Sequence, residues 1–239
     1  MTNEQQVINK KALYINPIKS KECSKIYLSE NKSSWITIEF LSEELQNYST
    51  HNYQTLFNLH PLQRGKVLMY NKEVESPRWH RSYLHQPEIE PNKKGSYMYS
   101  GLEKFEDLRL PAPFQKFLAF LNEKELEFKY NQVIANWYRN GKDYIAPHSD
   151  CQKEMLANTG IAIVTLCEDE KYPRELRIIP KNLKNEKNDT LYSQVKIKLK
   201  HGCIVTMHGD TQTKFRHSIP KDFNNPTSRI SLTFRKFLK

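Results

Sequence analysis

Two histidines and an aspartate are spaced as candidate ligands of a single metal ion. His148 and Asp150 lie two residues apart, and His217 follows several dozen positions later. Alternate side chains of an extended strand share a face, so His148 and Asp150 can bind one metal together, with the third ligand on a neighbouring strand. Two imidazoles and one carboxylate form a facial triad, which holds ferrous iron and leaves positions open for a co-substrate and oxygen. Because such triplets are common by chance, this one indicates a metal only together with other signals.

The segment 229–235, close downstream of His217, alternates polar and apolar side chains as a strand does. One face carries Arg229, Ser231, Thr233 and Arg235, and the other carries Ile230, Leu232 and Phe234. Two arginines in register are costly to bury without anions, and a dicarboxylate co-substrate would satisfy both through bidentate hydrogen bonds. The alternative is an edge strand whose arginines meet water. If the strand is considered alone, the solvent-exposed edge strand is favoured. If the strand is considered together with the facial triad, binding of a dicarboxylate co-substrate is favoured.

The sequence predicts that these residues are carried by many short strands joined by charged turns, a pattern typical of a β-sandwich or barrel. Strands are expected at 35–40, 66–70, 131–138, 160–166, 175–179, 195–199, 204–207 and 229–234. One helix is expected to begin after Ser42 as its N-cap. Another is expected where Phe114, Phe117, Leu118 and Leu121 repeat with helical spacing. Residues 93–109 read as a loop, in which 97–99 could be extended.

Four segments in the same order resemble those of one known family. They are 66–78, ending in Ser-Pro-Arg; 136–150, which runs from Asn-Trp-Tyr to His-Ser-Asp; 209–221, which contains His217; and 229–235, Arg-Ile-Ser-Leu-Thr-Phe-Arg. In this combination the chain resembles the AlkB-like iron(II)- and 2-oxoglutarate-dependent dioxygenases, specifically the nucleic-acid dealkylase branch. The resemblance runs from about residue 60 to the C-terminus.

This resemblance implies a mainly β (α+β) fold, a double-stranded β-helix or jelly roll with N-terminal supporting helices and a nucleotide-recognition lid. The expected organisation is an N-terminal extension at 1–30, loosely ordered, followed by a single dioxygenase domain at 31–239. Within that domain the lid is expected at about 60–100 and the catalytic jelly-roll core at about 128–239.

The resemblance also implies roles for individual residues. His148, Asp150 and His217 would hold Fe(II), and Arg229 would pair with the distal carboxylate of 2-oxoglutarate, assisted by the Tyr138 hydroxyl. The rest of the co-substrate pocket would include Asn136 and Arg235 near the metal, and Ser231. Candidates for contacting the substrate are Trp79, His80, Tyr83 and Gln152. For the first three, stacking on a flipped base and ordinary packing of a lid strand are equally favoured.

The activity implied is oxidative demethylation of N-alkylated bases in DNA or RNA, with Fe(II), 2-oxoglutarate and O2, giving succinate, CO2 and formaldehyde. Two departures from the family pattern leave the substrate open. Cys151 and Gln152 stand where dealkylases usually carry further acidic residues, and Ser231 stands where they usually carry Asn. One alternative is therefore an oxygenase acting on a protein, a lipid or a small molecule. Another is a nucleic-acid-binding module without turnover, which the intact ligand set disfavours.

Composition agrees with a folded, basic protein. The 239 residues include 37 Lys and Arg against 27 Asp and Glu, for a net charge of +10. Such a balance favours polyanionic partners, although a Lys-rich composition alone could produce it. The four cysteines show no disulfide or zinc spacing and predict free thiols in a reducing compartment. With no signal sequence and no apolar run of membrane-spanning length, a soluble intracellular protein without a membrane partner is expected, a monomer by default.

Overall fold

A computed structural model describes residues 10–19, 23–69, 72–85, 94–99, 102–181 and 189–238. The strands of these residues are β1 (Leu13–Ile15), β2 (Ser24–Tyr27), β3 (Ser34–Phe40), β4 (Lys66–Met69), β5 (Lys72–Glu75), β6 (Trp79–Leu84), β7 (Lys94–Tyr99), β8 (Leu102–Asp107), β9 (Gln132–Tyr138), β10 (Ile145–His148), β11 (Ile161–Cys167), β12 (Arg174–Pro180), β13 (Val195–Leu199), β14 (Cys203–Gly209), β15 (Phe215–Ile219) and β16 (Arg229–Arg235). The helices are α1 (Glu43–His51), α2 (Tyr53–Phe57), α3 (Ala112–Lys124) and α4 (Thr211–Lys214).

In the described part of the chain, two facing sheets build the fold. The larger has the strand order β2-β3-β14-β11-β16-β9-β6-β8-β7, and the smaller has the order β1-β13-β12-β15-β10. Their strand pairs are antiparallel except for β1 with β13 and β6 with β8, which are parallel. A separate hairpin, β4–β5, extends from the chain just before β6. Two mostly antiparallel sheets that pack face to face form the expected double-stranded β-helix.

The central strands of the larger sheet are covered on both faces, which explains why β9, β11 and β16 are fully buried. One face packs on the smaller sheet through residues such as Ile163 of β11 and Ile178 of β12. The other face packs on α1, α2 and α3 through residues such as Trp137 of β9 and Phe117 of α3. The expected supporting helices are thus confirmed, and the side chains of the central strands are divided between a helix-facing core and a space between the sheets.

The structure confirms the predicted start of α1 and the predicted buried face of α3. The hydroxyl of Ser42 accepts a hydrogen bond from the Leu45 backbone N–H at 3.3 Å, which satisfies a donor at the first turn of α1. In α3, the predicted apolar positions are all buried: Phe114, Phe117, Leu118 and Leu121. The predicted face of α3 is therefore the one that docks on the sheet.

Two predictions about the chain's organisation differ from the structure. The predicted loop at 93–109 contains β7 and β8, because each strand gains backbone hydrogen bonds from a neighbour that local sequence does not reveal. The predicted loose extension at 1–30 contributes β1, paired with β13, and β2, paired with β3. Polar composition suggested a tail, but the sheet edges supply partners for these short segments. Residues 1–9 and 20–22 lie outside the described residues.

Replacing Phe117 by alanine is expected to lower the free energy of unfolding by about 3–5 kcal/mol, since the ring is fully buried between α3 and the larger sheet. Urea denaturation of the purified variant measures this change. The matched control is Phe223→Ala, because that ring is 72% exposed and its loss should change stability by only about 0.5 kcal/mol. Equal effects of the two substitutions would contradict the assignment of this core.

Candidate metal centre and co-substrate pocket

The predicted metal ligands meet between two neighbouring strands of the smaller sheet. His148, the last residue of β10, is directly opposite His217 in β15. Asp150 lies two residues beyond the end of β10, and one ligand atom from each residue lies within 4.8 Å of the others. Sequence reasoning expected His148 and Asp150 to share one strand face. The structure brings them together differently, because the strand ends first and the chain then turns the carboxylate toward the histidines.

Hydrogen bonds from the surrounding chain hold these side chains in place. Nδ1 of His148 lies 3.0 Å from the Ala146 carbonyl oxygen, and a carbonyl only accepts, so Nδ1 carries the proton and Nε2 is left to face the cluster. The Asp150 backbone N–H donates to Oε1 of Gln212 in α4 at 2.8 Å. The short helix between β14 and β15 therefore fixes the position of the aspartate.

All three groups have the protonation states that a divalent cation requires. Burial alone would raise the pKa of Asp150, but the Arg235 guanidinium and the two histidines lower it to about 2. Burial lowers the pKa of His217 to about 3, with a further contribution from His148. Burial also lowers the pKa of His148. At neutral pH the cluster thus offers one carboxylate and two neutral imidazoles.

An unused ligand atom supports the fit of a metal ion. Oδ1 of Asp150 accepts a hydrogen bond from Nη2 of Arg235 at 2.6 Å, whereas its buried Oδ2 has no partner among the described residues. A buried carboxylate oxygen without a partner costs free energy. A cation bound by Asp150, His148 and His217 would remove this cost, and the two-histidine, one-carboxylate set is the one that suits non-haem Fe(II).

Metal affinity is expected to change little between about pH 8 and about pH 7, because pKa values below the ordinary value of about 6.5 keep both imidazoles mostly unprotonated in this range. Protons compete with the metal for the histidine nitrogens, so metal affinity falls only when the pH drops below the pKa of a ligand. Both histidines have pKa values below the ordinary value of about 6.5. Calorimetric titration with Mn(II) at several pH values measures this dependence. A loss of affinity centred near pH ~6.5 would show that the histidines titrate normally.

The cavity beside the cluster lies between the two sheets and encloses about 510 Å³ including its open mouth. The polar side chains that line it are Arg78, Asn136, Tyr138, His148, Asp150, His217, Arg229, Ser231, Thr233 and Arg235. The predicted alternation of the last strand is confirmed, because its polar face lines the cavity while Ile230, Leu232 and Phe234 pack in the helix-facing core. Its arginines do not lie on a wet edge, since β16 is an interior strand with neighbours on both sides.

Arg229 has the features expected of an anion-binding residue. It is 1% exposed, and its Nη2 donates to the Thr165 hydroxyl at 2.9 Å. Its Nε and Nη1 are buried and have no partner among the described residues. A guanidinium is always charged and presents its donors as a planar fork, which matches the two oxygens of a carboxylate. The buried Nε and Nη1 of Arg229 can therefore still donate to an anion, such as a carboxylate of a dicarboxylate.

The structure brings Asn136, Tyr138, Ser231 and Arg235 to this cavity as well, but it does not bring every predicted site residue there. Trp79 and Tyr83 pair across β6–β9 with Trp137 and Val133, whose side chains belong to the helix-facing core. Both aromatic rings thus lie on the opposite face of the sheet from the cavity. For Trp79 and Tyr83 the structure therefore favours ordinary packing over stacking on a substrate base.

The other predicted substrate contacts lie at the edge of the site or outside it. The His80 side chain is buried and packs beside Gly65, at the base of the β4–β5 hairpin. Gln152 is exposed. His208, the histidine that precedes His217 in the chain and the other candidate for the third ligand, bonds to the Thr37 hydroxyl at 3.0 Å and stacks on Trp35, away from the cluster. These contacts support His217 over His208 as the third ligand.

Sequence reasoning did not assign a site role to Arg78, which lines the cavity and donates from Nε to Oδ1 of Asn136 at 2.7 Å. The Pro77-Arg78 dipeptide was noticed only as part of the lid segment. Arg78 is 3% exposed, and a buried arginine is a candidate for binding an anion because its burial is costly. Burial is not visible in the sequence, so this signal was missing there.

The fold and this site define an iron-dependent oxygenase that uses a dicarboxylate co-substrate. The sequence profile of the 2OG-Fe(II) oxygenase superfamily matches residues 27–235. The chain belongs to the 2OG-Fe(II) oxygenase superfamily, and it is an oxidoreductase whose cofactors are Fe(II), 2-oxoglutarate and O2.

Individual relatives are AlkB-like. The mouse alpha-ketoglutarate-dependent dioxygenase alkB homolog 3 is 30% identical over 114 residues, which cover 47% of this chain and 38% of that protein. The mouse DNA oxidative demethylase ALKBH2 is 29% identical over 155 residues, which cover 62% of each. The matches thus span less than two thirds of these relatives. A solved 2OG-Fe(II) oxygenase from Burkholderia pseudomallei has a TM-score of 0.47 at 9% identity, covering 84% of this chain and 86% of its own.

Among the described residues, no helix has the length and apolar character needed to cross a membrane.

Proposed function

We propose that this protein demethylates N-alkylated bases of DNA or RNA. The observation that carries the proposal is the single cavity in which the His148–Asp150–His217 cluster lies beside Arg229, with unused donors on the arginine and an unused oxygen on the aspartate. The cavity accounts for the oxygenase chemistry. The substrate class rests on relatives that are named alkB homologs and a DNA oxidative demethylase. The net charge of +10 is consistent with a polyanionic substrate.

Each residue of the cavity has a proposed task in this reaction. His148, Asp150 and His217 bind Fe(II), which supplies oxygen activation when it is present with 2-oxoglutarate. Arg229 binds the distal carboxylate, and the Tyr138 hydroxyl assists it. The same pocket is completed by Asn136, Ser231 and Arg235. Because Arg235 also bonds to Asp150, it orients the metal-binding carboxylate as well.

The balanced reaction places one oxygen atom on each organic substrate. 2-Oxoglutarate loses CO2 and becomes succinate with one atom of O2, while the other atom converts the N–CH3 group to N–CH2OH. The hydroxymethyl C–N bond then breaks, the nitrogen regains a proton, and formaldehyde leaves. The buried cavity walls keep water from this reaction, and a stacked base must leave its stack to reach the cluster between the sheets.

The test is release of formaldehyde and succinate from Fe(II)-loaded protein supplied with oligonucleotides that contain 1-methyladenine or 3-methylcytosine. We expect both products in equal amounts, and neither from His148→Ala. Comparison of DNA with RNA, and of single with double strands, then defines the preferred substrate. Succinate production that is unchanged by any methylated oligonucleotide would refute the demethylase proposal and leave the oxygenase activity standing.

Two observations favour a second candidate, an oxygenase that acts on a protein, a lipid or a small molecule. Cys151 and Gln152 are exposed beyond Asp150 and provide no acidic group for a cationic methylated base. Trp79 and Tyr83 also lie away from the cavity, so among the described residues they provide no stacking platform there. If methylated nucleic acid fails to stimulate turnover, the first probes are methylated peptides and small amines. Gln152 remains the proposed polar contact for either type of substrate.

A further inference from the structure

Arg174, outside the cavity lining, is a buried cation whose hydrogen bonds all go to backbone carbonyls. It begins β12 and is 2% exposed. Its Nη2 donates to the carbonyl oxygens of Asp143 at 2.8 Å and Pro220 at 2.6 Å, and its Nη1 donates to that of Asn140 at 3.1 Å. Burying a guanidinium costs free energy, and the three carbonyl acceptors here are neutral and do not balance its charge. The presence of an arginine at this position therefore requires an explanation.

The three carbonyls belong to the two loops that flank the Arg229 end of the cavity. The loop 139–144 follows Tyr138, and the loop 220–228 leads into Arg229. The loops are also joined at Gly141, whose N–H donates to the Asn225 carbonyl at 2.9 Å and whose carbonyl accepts from the Asp222 N–H at 2.8 Å. Arg174 thus ties together, from the inside, the segments that carry two of the proposed co-substrate contacts.

Arg174 also contacts one of those side chains directly. Its guanidinium carbon lies 5.7 Å from the centre of the Tyr138 ring, and that of Arg229 lies 5.0 Å from the same ring. The ring is 2% exposed. Cations over a desolvated aromatic face attract it, so these contacts fix the direction of the phenol and keep Arg229 in register with it. A second cation near Arg229 also favours a dianion at this end of the cavity.

We propose that Arg174 is a positioning residue for 2-oxoglutarate: it holds Tyr138 and the two flanking loops so that Arg229 and the Tyr138 hydroxyl meet the distal carboxylate together. Arg174 acts through these groups rather than by contact with the reacting atoms. The proposal rests on the assignment of Arg229 and Tyr138 to 2-oxoglutarate, and it is independent of which substrate is oxidised.

The test compares Arg174→Met, which keeps an unbranched apolar side chain and removes the guanidinium group with its charge, with Arg174→Lys. For Arg174→Met we expect the dissociation constant of 2-oxoglutarate from the Mn(II)-loaded protein to rise about tenfold, the size of a buried cation–π contact with its hydrogen bonds. The KM for 2-oxoglutarate should rise by the same factor, while kcat at saturating co-substrate and Mn(II) affinity stay unchanged. Arg174→Lys should recover part of the affinity, because it keeps the charge but not the planar fork.

Two controls separate positioning from general destabilisation. Phe117→Leu weakens the core on the opposite face of the larger sheet and should leave 2-oxoglutarate affinity unchanged even where its loss of stability matches that of Arg174→Met. In a Tyr138→Leu background, which lacks the ring, Arg174→Met should have a smaller further effect on affinity. Unchanged affinity in folded Arg174→Met, or an equal loss in Phe117→Leu, would overturn the proposal. If Arg174→Met does not fold, the affinity of Arg174→Lys decides by the same criteria.

Discussion

Asp150→Ala is expected to abolish 2-oxoglutarate turnover, because it removes the one anionic ligand of the proposed iron site. The side chain is 6% exposed and supplies both the unpartnered Oδ2 and the acceptor for Arg235. We expect Mn(II) affinity to fall by more than about 100-fold, the upper end of the cost of losing an outer partner of a metal ligand. Titration calorimetry and succinate release measure the two effects.

The charge and the shape of Asp150 can be tested separately. Asp150→Asn keeps the shape but accepts poorly from Arg235 and neutralises the ligand set, so it should also be inactive. Because either change leaves Arg235 buried without its anion, a loss of stability is expected and circular dichroism must confirm folding. The matched control is Glu44→Ala, which removes an exposed carboxylate of α1. Normal turnover by folded Asp150→Ala would rule out this aspartate as an iron ligand.

Arg229→Met is expected to raise the KM for 2-oxoglutarate by about 100-fold or more, the effect of truncating one partner of a buried, hydrogen-bonded charge pair. The unused donors of Arg229 are the reason, because they are buried and have no partner among the described residues. The change should be largest in KM and in the dissociation constant, since the distal carboxylate is remote from the reacting carbon. Initial rates of succinate formation across a range of 2-oxoglutarate concentrations provide both parameters.

Two further variants define the role of Arg229. Arg229→Lys should recover only part of the affinity, because an ammonium group cannot form the bidentate pair. Thr165→Val removes the hydroxyl that accepts from Nη2 and should have a smaller effect than loss of the arginine itself. An unchanged KM in Arg229→Met would mean that the co-substrate binds elsewhere, and the residual arginines of the cavity, Arg78 and Arg235, would be examined next.

Local sequence patterns were sufficient for elements whose burial follows a simple period. The alternation of 229–235 predicted both the strand β16 and the division of its side chains between cavity and core. The helical spacing from Phe114 to Leu121 predicted the buried face of α3. In these cases the alternation of a strand, or the apolar stripe of a helix, is sufficient to show which side chains share a face.

The same patterns could not say which face of a strand meets the cavity. Trp79, His80 and Tyr83 were equally acceptable as stacking residues or as packing residues, and only the pairing of β6 with β9 placed Trp79 and Tyr83 on the helix side. Similarly, 93–109 was predicted as a loop in which only 97–99 could be extended, because the hydrogen-bonding partners of β7 and β8 are contributed by segments that local sequence does not identify. The period of a strand shows which of its side chains share a face, but pairing with the neighbouring strand determines whether that face meets the cavity or the helices.

The sequence by itself determined the chemistry available to this protein: two histidines and an aspartate at ligand spacing, two arginines on one face of a strand, and the family that these motifs resemble. Tertiary structure alone decided how these groups combine. It brought Asp150 to the histidines after β10 had ended, added Arg78 to the cavity, and placed Arg174 behind Tyr138. The physical reason is that burial and charge pairing depend on residues far apart in the chain, whereas residue type and spacing are local properties.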